Sequence, residues 1–194
     1  MDTIGYYDTY GDEYVRNTVN VEFGRTRARF LAYLPEHASI LDLGCGSGRD
    51  ARAFMEMGYA VTAVDGSEKM CELAGAYLGQ PVRQLLFTDL AADGEYDGIW
   101  ACSSILHLRK KELRQVLASI HRALRGPGIF YTSFKLGEFE GERHGRTFTD
   151  FTEESFRAFL EPQALFTILD CWQSGDVRPG RETEKWLNLI MKKA

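Results

Sequence analysis

Ser39-Ile40-Leu41-Asp42-Leu43-Gly44-Cys45-Gly46-Ser47-Gly48-Arg49-Asp50 decides how the chain is read. Ser39 to Leu43 is a short apolar run with the length of a buried strand, and it ends in glycines at alternate positions. Such glycines let the backbone turn tightly and leave no Cβ between it and a ligand. Arg49 to Met57 then reads as a helix, with Ala51, Phe54 and Met55 inward and Gly58 as its stop. The dinucleotide fingerprint GxGxxG would place its third glycine at position 49, where this chain has Arg49. The GxGxG form suits a nucleoside with no pyrophosphate to cradle. A glycine turn without a ligand is the bland alternative.

Working outward, strand and helix signals alternate. Tyr59 to Val64 reads as a second strand, and Ser67 caps a helix with Met70, Leu73, Ala74 and Tyr77 on one face. Pro81 to Phe87 holds a third strand and Tyr96 to Cys102 a fourth. Lys110 to Arg125 is a helix with Leu113, Val116, Leu117, Ile120 and Leu124 at helical spacing, ended by Gly126-Pro127. Ile129 to Phe134 is the fifth strand, and Thr152 opens a helix with Phe156, Phe159 and Leu160 inward. Leu165 to Trp172 and Trp186 to Met191 are the last two strands. No helix fits between them, so they read as antiparallel neighbours. Ahead of all this lie a polar segment with Tyr6, Tyr7, Tyr10 and Tyr14 and a helical pattern from Phe23 to Leu34, stopped by Pro35.

This order implies an α/β fold. It is a doubly wound, Rossmann-like, seven-stranded, mostly parallel sheet with the last strand reversed, helices on both faces and a short helical N-terminal segment. Residues 1–194 read as a single domain, with 1–35 as an N-terminal lid and 36–194 as the core. In such open sheets ligands sit beyond the carboxyl ends of the strands at the topological switch point.

Composition narrows the classes. The chain has 194 residues, 44% hydrophobic and 26% charged, the balance of a soluble globular protein, which excludes a disordered chain, collagen or a coiled coil. A net charge of −5 lacks the basic field of a nucleic-acid binder. No apolar run reaches membrane-spanning length, and the N-terminus shows no secretory pattern. Cys45, Cys71, Cys102 and Cys171 form no CxxC pair, and His37, His107, His121 and His144 are scattered. The expectation is free thiols, no metal site, a cytoplasmic location, no nucleic-acid or membrane partner, and a monomer or homodimer.

Three more stations follow the strand ends. Asp65, after the second strand, is placed to accept hydrogen bonds from both hydroxyls of a ribose, with helix capping as its alternative. Phe87-Thr88-Asp89-Leu90 follows the third strand. A carboxylate there can accept from an exocyclic amine while apolar neighbours sandwich a ring. His107, after the fourth strand, stands as a candidate base or acceptor contact, with packing as its alternative. The glycine-interrupted stretch from Lys135 to Asp150 reads as a polar loop over the site, in which Arg143, His144 and Arg146 can attract an anionic acceptor.

At these stations the chain resembles the class I S-adenosylmethionine-dependent methyltransferases. Leu41 to Gly48 looks like their first motif, Asp65 like their ribose-binding acid and Asp89 like their adenine-contacting acid. The resemblance spans about Tyr6 to Lys192. Tyr96 to His107, Ser133-Phe134-Lys135, and Asp176 to Arg181 with Trp186-Leu187-Asn188 are similar to small stand-alone bacterial enzymes of the generic or tellurite-resistance type. The resemblance implies S-adenosylmethionine as cofactor and a small-molecule acceptor. It implies a cofactor site of Gly44, Cys45, Gly46 and Arg49 at the first strand, and Asp65, Gly66, Ser67 and Met70 at the second. Thr88, Asp89 and Leu90 follow at the third, and Cys102 and Ser103 at the fourth. Tyr14 and Thr18 would close over it from the lid. An Asn-Pro-Pro-Tyr motif is absent after the fourth strand, where Ala101-Cys102-Ser103-Ser104 stands, which moves nucleic-acid acceptors down. Two rivals remain: a nicotinamide-dependent oxidoreductase, against which Arg49 speaks, and a non-catalytic nucleotide-binding module.

Overall fold

The computed structural model describes residues 2–194. Five strands form its parallel part: β1 (Ser39–Leu43), β2 (Ala60–Asp65), β3 (Arg83–Gln84), β4 (Tyr96–Ala101) and β5 (Leu124–Lys135). β8 (Phe166–Gly175) and β9 (Lys185–Lys193) complete a seven-stranded sheet in the order β3-β2-β1-β4-β5-β9-β8. β9 runs antiparallel to both β5 and β8, so one strand is reversed, as the absence of a helix between the last two strands predicts. The order reverses between β1 and β4, which places the switch point over the glycine loop.

Alternation along the central strands builds a core on each face. Leu41, Ile99, Phe130 and Leu189 join one cluster, covered by α5 (Lys110–Ala123) and α6 (Glu153–Leu160). Their chain neighbours Ile40, Trp100, Tyr131 and Ile190 join the other, where α2 (Gly24–Leu31) brings Phe30 and α3 (Arg49–Glu56) brings Phe54. The Ser67 hydroxyl caps α4 (Glu68–Leu78) by accepting from Met70 N–H at 3.1 Å.

The structure departs from the sequence expectations in four places. The polar, tyrosine-rich start of the N-terminal segment, ahead of the helical pattern read from Phe23, is itself helical: α1 spans Thr3–Thr18, with non-helical dihedrals at Tyr10. The third strand shrinks to Arg83-Gln84, because Leu85 and Phe87 pack inward instead of extending a sheet edge. The helix before β5 stops at Ala123, since Leu124 already takes extended dihedrals and pairs with Tyr96. The stretch read as a polar loop is a hairpin, β6 (Glu140–Arg143) and β7 (Arg146–Thr149), turning through His144-Gly145. No helix among the described residues is long and apolar enough to cross a membrane.

Candidate active site

The carboxyl ends of β1, β2, β4 and β5, together with α1, the β6–β7 hairpin and the β8–β9 loop, enclose a cavity of ≈ 970 Å³. Its floor is the glycine loop. Gly44 has φ 81°, and a Cβ there would lie 2.5 Å from that of Ser104, so only glycine fits. The amides of Gly44 and Cys45 both donate to Val64 O at 2.9 Å, locking the loop onto the end of β2.

Asp65 ties this loop to the next helix. Its Oδ2 accepts from Gly46 N–H at 2.9 Å and its Oδ1 from Ser67 N–H at 3.0 Å. Each oxygen keeps a second lone pair. Burial raises its pKa, and the three neighbouring amides oppose the rise. Asp42, at the end of β1, is buried, and its Oδ2 has no hydrogen-bond partner. Burial and then the charge of Asp50 hold its pKa well above the carboxylate range. Asp50 is buried too, yet the guanidiniums of Arg49 and Arg27 outweigh its desolvation and lower its pKa. Trp100 Nε1–H completes that network at 3.1 Å.

The roof is α1. The Ser67 hydroxyl donates to Asp8 at 2.6 Å, and Lys69 pairs with Asp12 at 3.4 Å, fastening α1 to α4. Tyr14 lies over the floor, with its ring edge 3.3 Å from where a Gly46 Cβ would sit. Tyr7 meets Tyr14 edge to face at 5.1 Å. The Thr18 hydroxyl is spent on Tyr14 O within the helix, at 2.7 Å.

His107 joins roof to hairpin. Its Nδ1 lies 2.7 Å from Thr147 O, and a carbonyl only accepts, so Nδ1 carries the proton. Nε2 of the neutral ring therefore accepts from the Tyr7 hydroxyl at 3.0 Å. Burial lowers the His107 pKa to about 4. Arg146 Nη1–H donates to the same Tyr7 oxygen at 3.4 Å.

On the wall beside β5, Asp176 accepts from Lys135 at 3.2 Å, Trp186 Nε1–H at 3.1 Å and Arg178 Nη2–H at 2.6 Å. Lys135 also pairs with Glu184. The Arg178 bonds outweigh burial and hold Asp176 below the usual carboxylate range. Burial pushes the Cys102 thiol up to about 12 and raises that of Cys45, so neither cavity cysteine is a thiolate at neutral pH.

Of the residues singled out in the sequence, Gly44, Cys45, Gly46, Asp65, Gly66 and Met70 line the cavity. Arg49, Tyr14, Thr18, Cys102, Ser103 and His107 line it as well, although Arg49 is already engaged by Asp50. Ser67 is buried beneath α1 as a helix cap. Thr88 and Asp89 are exposed on a 3-10 turn (Phe87–Asp89), Leu90 is in the core, and the cavity wall there is Leu85, Leu86 and Phe87. The turn's tight winding sends Phe87 inward and the two polar residues outward. Tyr7 and Phe148 enter the site through contacts across the fold, whereas Asp176 and Arg178, in a stretch the sequence resemblance already picks out, pair two residues apart.

Residues 40–128 match the model of a methyltransferase domain family. The chain is 32% identical over 122 residues to the "Putative methyltransferase YqeM" of Bacillus subtilis, covering 55% of this chain and 48% of that protein. It is 29% identical over 150 residues to the malonyl-[acyl-carrier protein] O-methyltransferase of Pseudescherichia vulneris, covering 74% and 58%. The chain thus spans about half to three-fifths of these relatives' lengths. Among solved structures it is similar to the Burkholderia thailandensis 1,6-didemethyltoxoflavin-N1-methyltransferase bound to 1,6-didemethyltoxoflavin and S-adenosylhomocysteine. The TM-score is 0.76 at 26% identity, over 98% of this chain and 85% of that one.

Proposed function

We propose that the chain is a class I S-adenosylmethionine-dependent methyltransferase that transfers a methyl group to a small-molecule acceptor inside the cavity under α1. The observation that carries this reading is Asp65 at the end of β2, the strand next to the switch point. It is a carboxylate fixed by the Gly46 and Ser67 amides beside the glycine loop, in one cavity with the hairpin and the β8–β9 loop. The residues present fit the cofactor. Asp65 offers two acceptor oxygens for ribose hydroxyls, and the buried Oδ2 of Asp42 has no partner, so an ammonium placed there would favour its ionised form. The flat ring of Phe87 fits an adenine better than Asp89, which faces solvent.

When bound, the cofactor supplies an electrophilic methyl carbon on a sulfonium. The chain's own part is to orient the acceptor and exclude water, which is where positioning contributes rate. Tyr7 and Tyr14 roof the cavity. His107, with its pKa near 4, is a poor proton acceptor at neutral pH, and its Nε2 lone pair is engaged by Tyr7. It acts by holding Tyr7, and through it the roof. An acceptor whose nucleophilic atom bears no proton at neutral pH needs nothing more.

Calorimetry with S-adenosylmethionine and NAD tests the reading, followed by S-adenosylhomocysteine release across an acceptor panel. Binding of the first and not the second is expected, with turnover on at least one acceptor. Tight NAD binding without S-adenosylmethionine binding would overturn the reading in favour of an oxidoreductase.

A further inference from the structure

Most of the cations around the cavity are engaged by carboxylates. Arg49 is engaged by Asp50, Arg143 by Asp150, Arg178 by Asp176, Lys135 by Asp176 and Glu184, and Arg181 by Glu184. Lys185 and Arg146 also line the cavity, without a carboxylate partner among the described residues; Lys185 is exposed, whereas Arg146 is half-buried. Its guanidinium is nonetheless held in place. Cζ lies 4.2 Å from the Tyr6 ring centroid, 5.2 Å from Phe148 and 5.8 Å from Tyr7. Aromatic faces steady a cation but accept none of its five N–H donors along the guanidinium plane. Its Nη1 has one contact with the Tyr7 hydroxyl, at 3.4 Å, and its Nε is buried with no partner. A buried donor without an acceptor is costly and rare, so such a group in a binding cavity marks where a ligand's acceptor belongs.

The position suits the far end of an acceptor. Tyr14 covers the glycine loop, Tyr7 touches Tyr14, and Arg146 touches Tyr7, so two rings separate the loop from the guanidinium. His107 beside it is neutral and adds no charge. A half-buried cation without a carboxylate calls for an anionic partner. A planar fork with a free Nε edge matches the two oxygens of a carboxylate. The rings of Tyr6, Tyr7 and Phe148 around it favour an apolar body on that carboxylate.

We propose that Arg146 is the specificity-determining residue for the acceptor, and that the acceptor is a small carboxylic acid whose carboxylate takes the open edge of its guanidinium. This rests on the methyltransferase reading, and the experiment keeps the two apart. S-Adenosylhomocysteine is first titrated into the wild-type chain and Arg146→Met. Equal binding to both is expected, and binding to neither would sink the methyltransferase reading. Acetate, benzoate and malonate are then titrated into the wild-type chain, each beside its amide, with inorganic phosphate as a further anion. At least one carboxylate should bind ten times more tightly than its amide, and Arg146→Met should erase that difference. Arg146→Lys keeps the charge without the fork and should fall between, which also serves if the Met variant unfolds. Acids and amides that bind alike, a preference that survives Arg146→Met, or a preference for phosphate would each overturn the proposal.

Discussion

Asp65→Ala is the sharpest test of the cofactor half of the site. Its two oxygens each accept one backbone amide, from Gly46 at 2.9 Å and Ser67 at 3.0 Å, and each is left with one free lone pair toward the cavity. A hydrogen bond to a charged group contributes about 1.5–3 kcal/mol. Loss of even one ribose contact should therefore weaken S-adenosylmethionine binding by about 10–150-fold. Asp65→Asn separates charge from shape. Its amide nitrogen must face either Gly46 N–H or Ser67 N–H, donor against donor, so it should lose binding nearly as severely as the alanine variant. Acidity gives an independent reading. Burial raises the carboxyl pKa in the free protein, while ribose donors favour the charged form, so binding expels a proton at low pH. Affinity should fall on acidification from an onset above the ordinary carboxylate range, and the Asn variant should lack that fall. Calorimetry at several pH values with circular dichroism as a fold control decides it. An unchanged dissociation constant in folded Asp65→Ala would refute the assignment of the ribose to this carboxylate.

Three further outcomes follow from the same geometry. His107 has its pKa lowered from 6.5 to about 4, so its stabilising contribution is complete above pH 6.5 and is lost as pH falls toward 4. Chemical denaturation across that window should show a loss of at most about 3 kcal/mol, smaller because the ring is partly open to the cavity, and His107→Gln should flatten it. Removal of residues 1–19 takes away the roof and its fastening to α4 through Asp8 and Asp12, and should leave a cooperatively folding sheet with weaker cofactor binding. Equal affinity in the truncated chain would dismiss the lid. Asp50→Ala strands the guanidiniums of Arg27 and Arg49 in a buried site, so unfolding should cost about 3–5 kcal/mol less, and an unchanged denaturation midpoint would show the network to be dispensable.

What the sequence shows of this site divides along a physical line. The half of the site we assign to the cofactor lies next to strand ends, so Gly44, Gly46 and Asp65 could be located from an apolar run and its punctuation alone. The acceptor half is built by contacts across the chain. Tyr7 reaches His107 over 100 residues and Arg146 over 139, and no local spacing encodes such a meeting. The hairpin that brings Arg146 in hid for a different reason. β6 alternates exposed glutamates with Gly141 and Arg143, so period two is present without the apolar face that normally reveals it. Its turn was the available signal: His144 and Gly145 both have positive φ, at 51° and 77°, the requirement of a two-residue hairpin turn. Asp89, in the sequence slot of the family's adenine-contacting acid, faces solvent on a 3-10 turn that sends Phe87 inward. Pairing of charge was the least legible property of all, because Arg143 and Arg146 look alike in sequence until Asp150 is seen to take one and leave the other. On the proposed reading, acceptor choice is set by a difference between two arginines that only the folded hairpin creates.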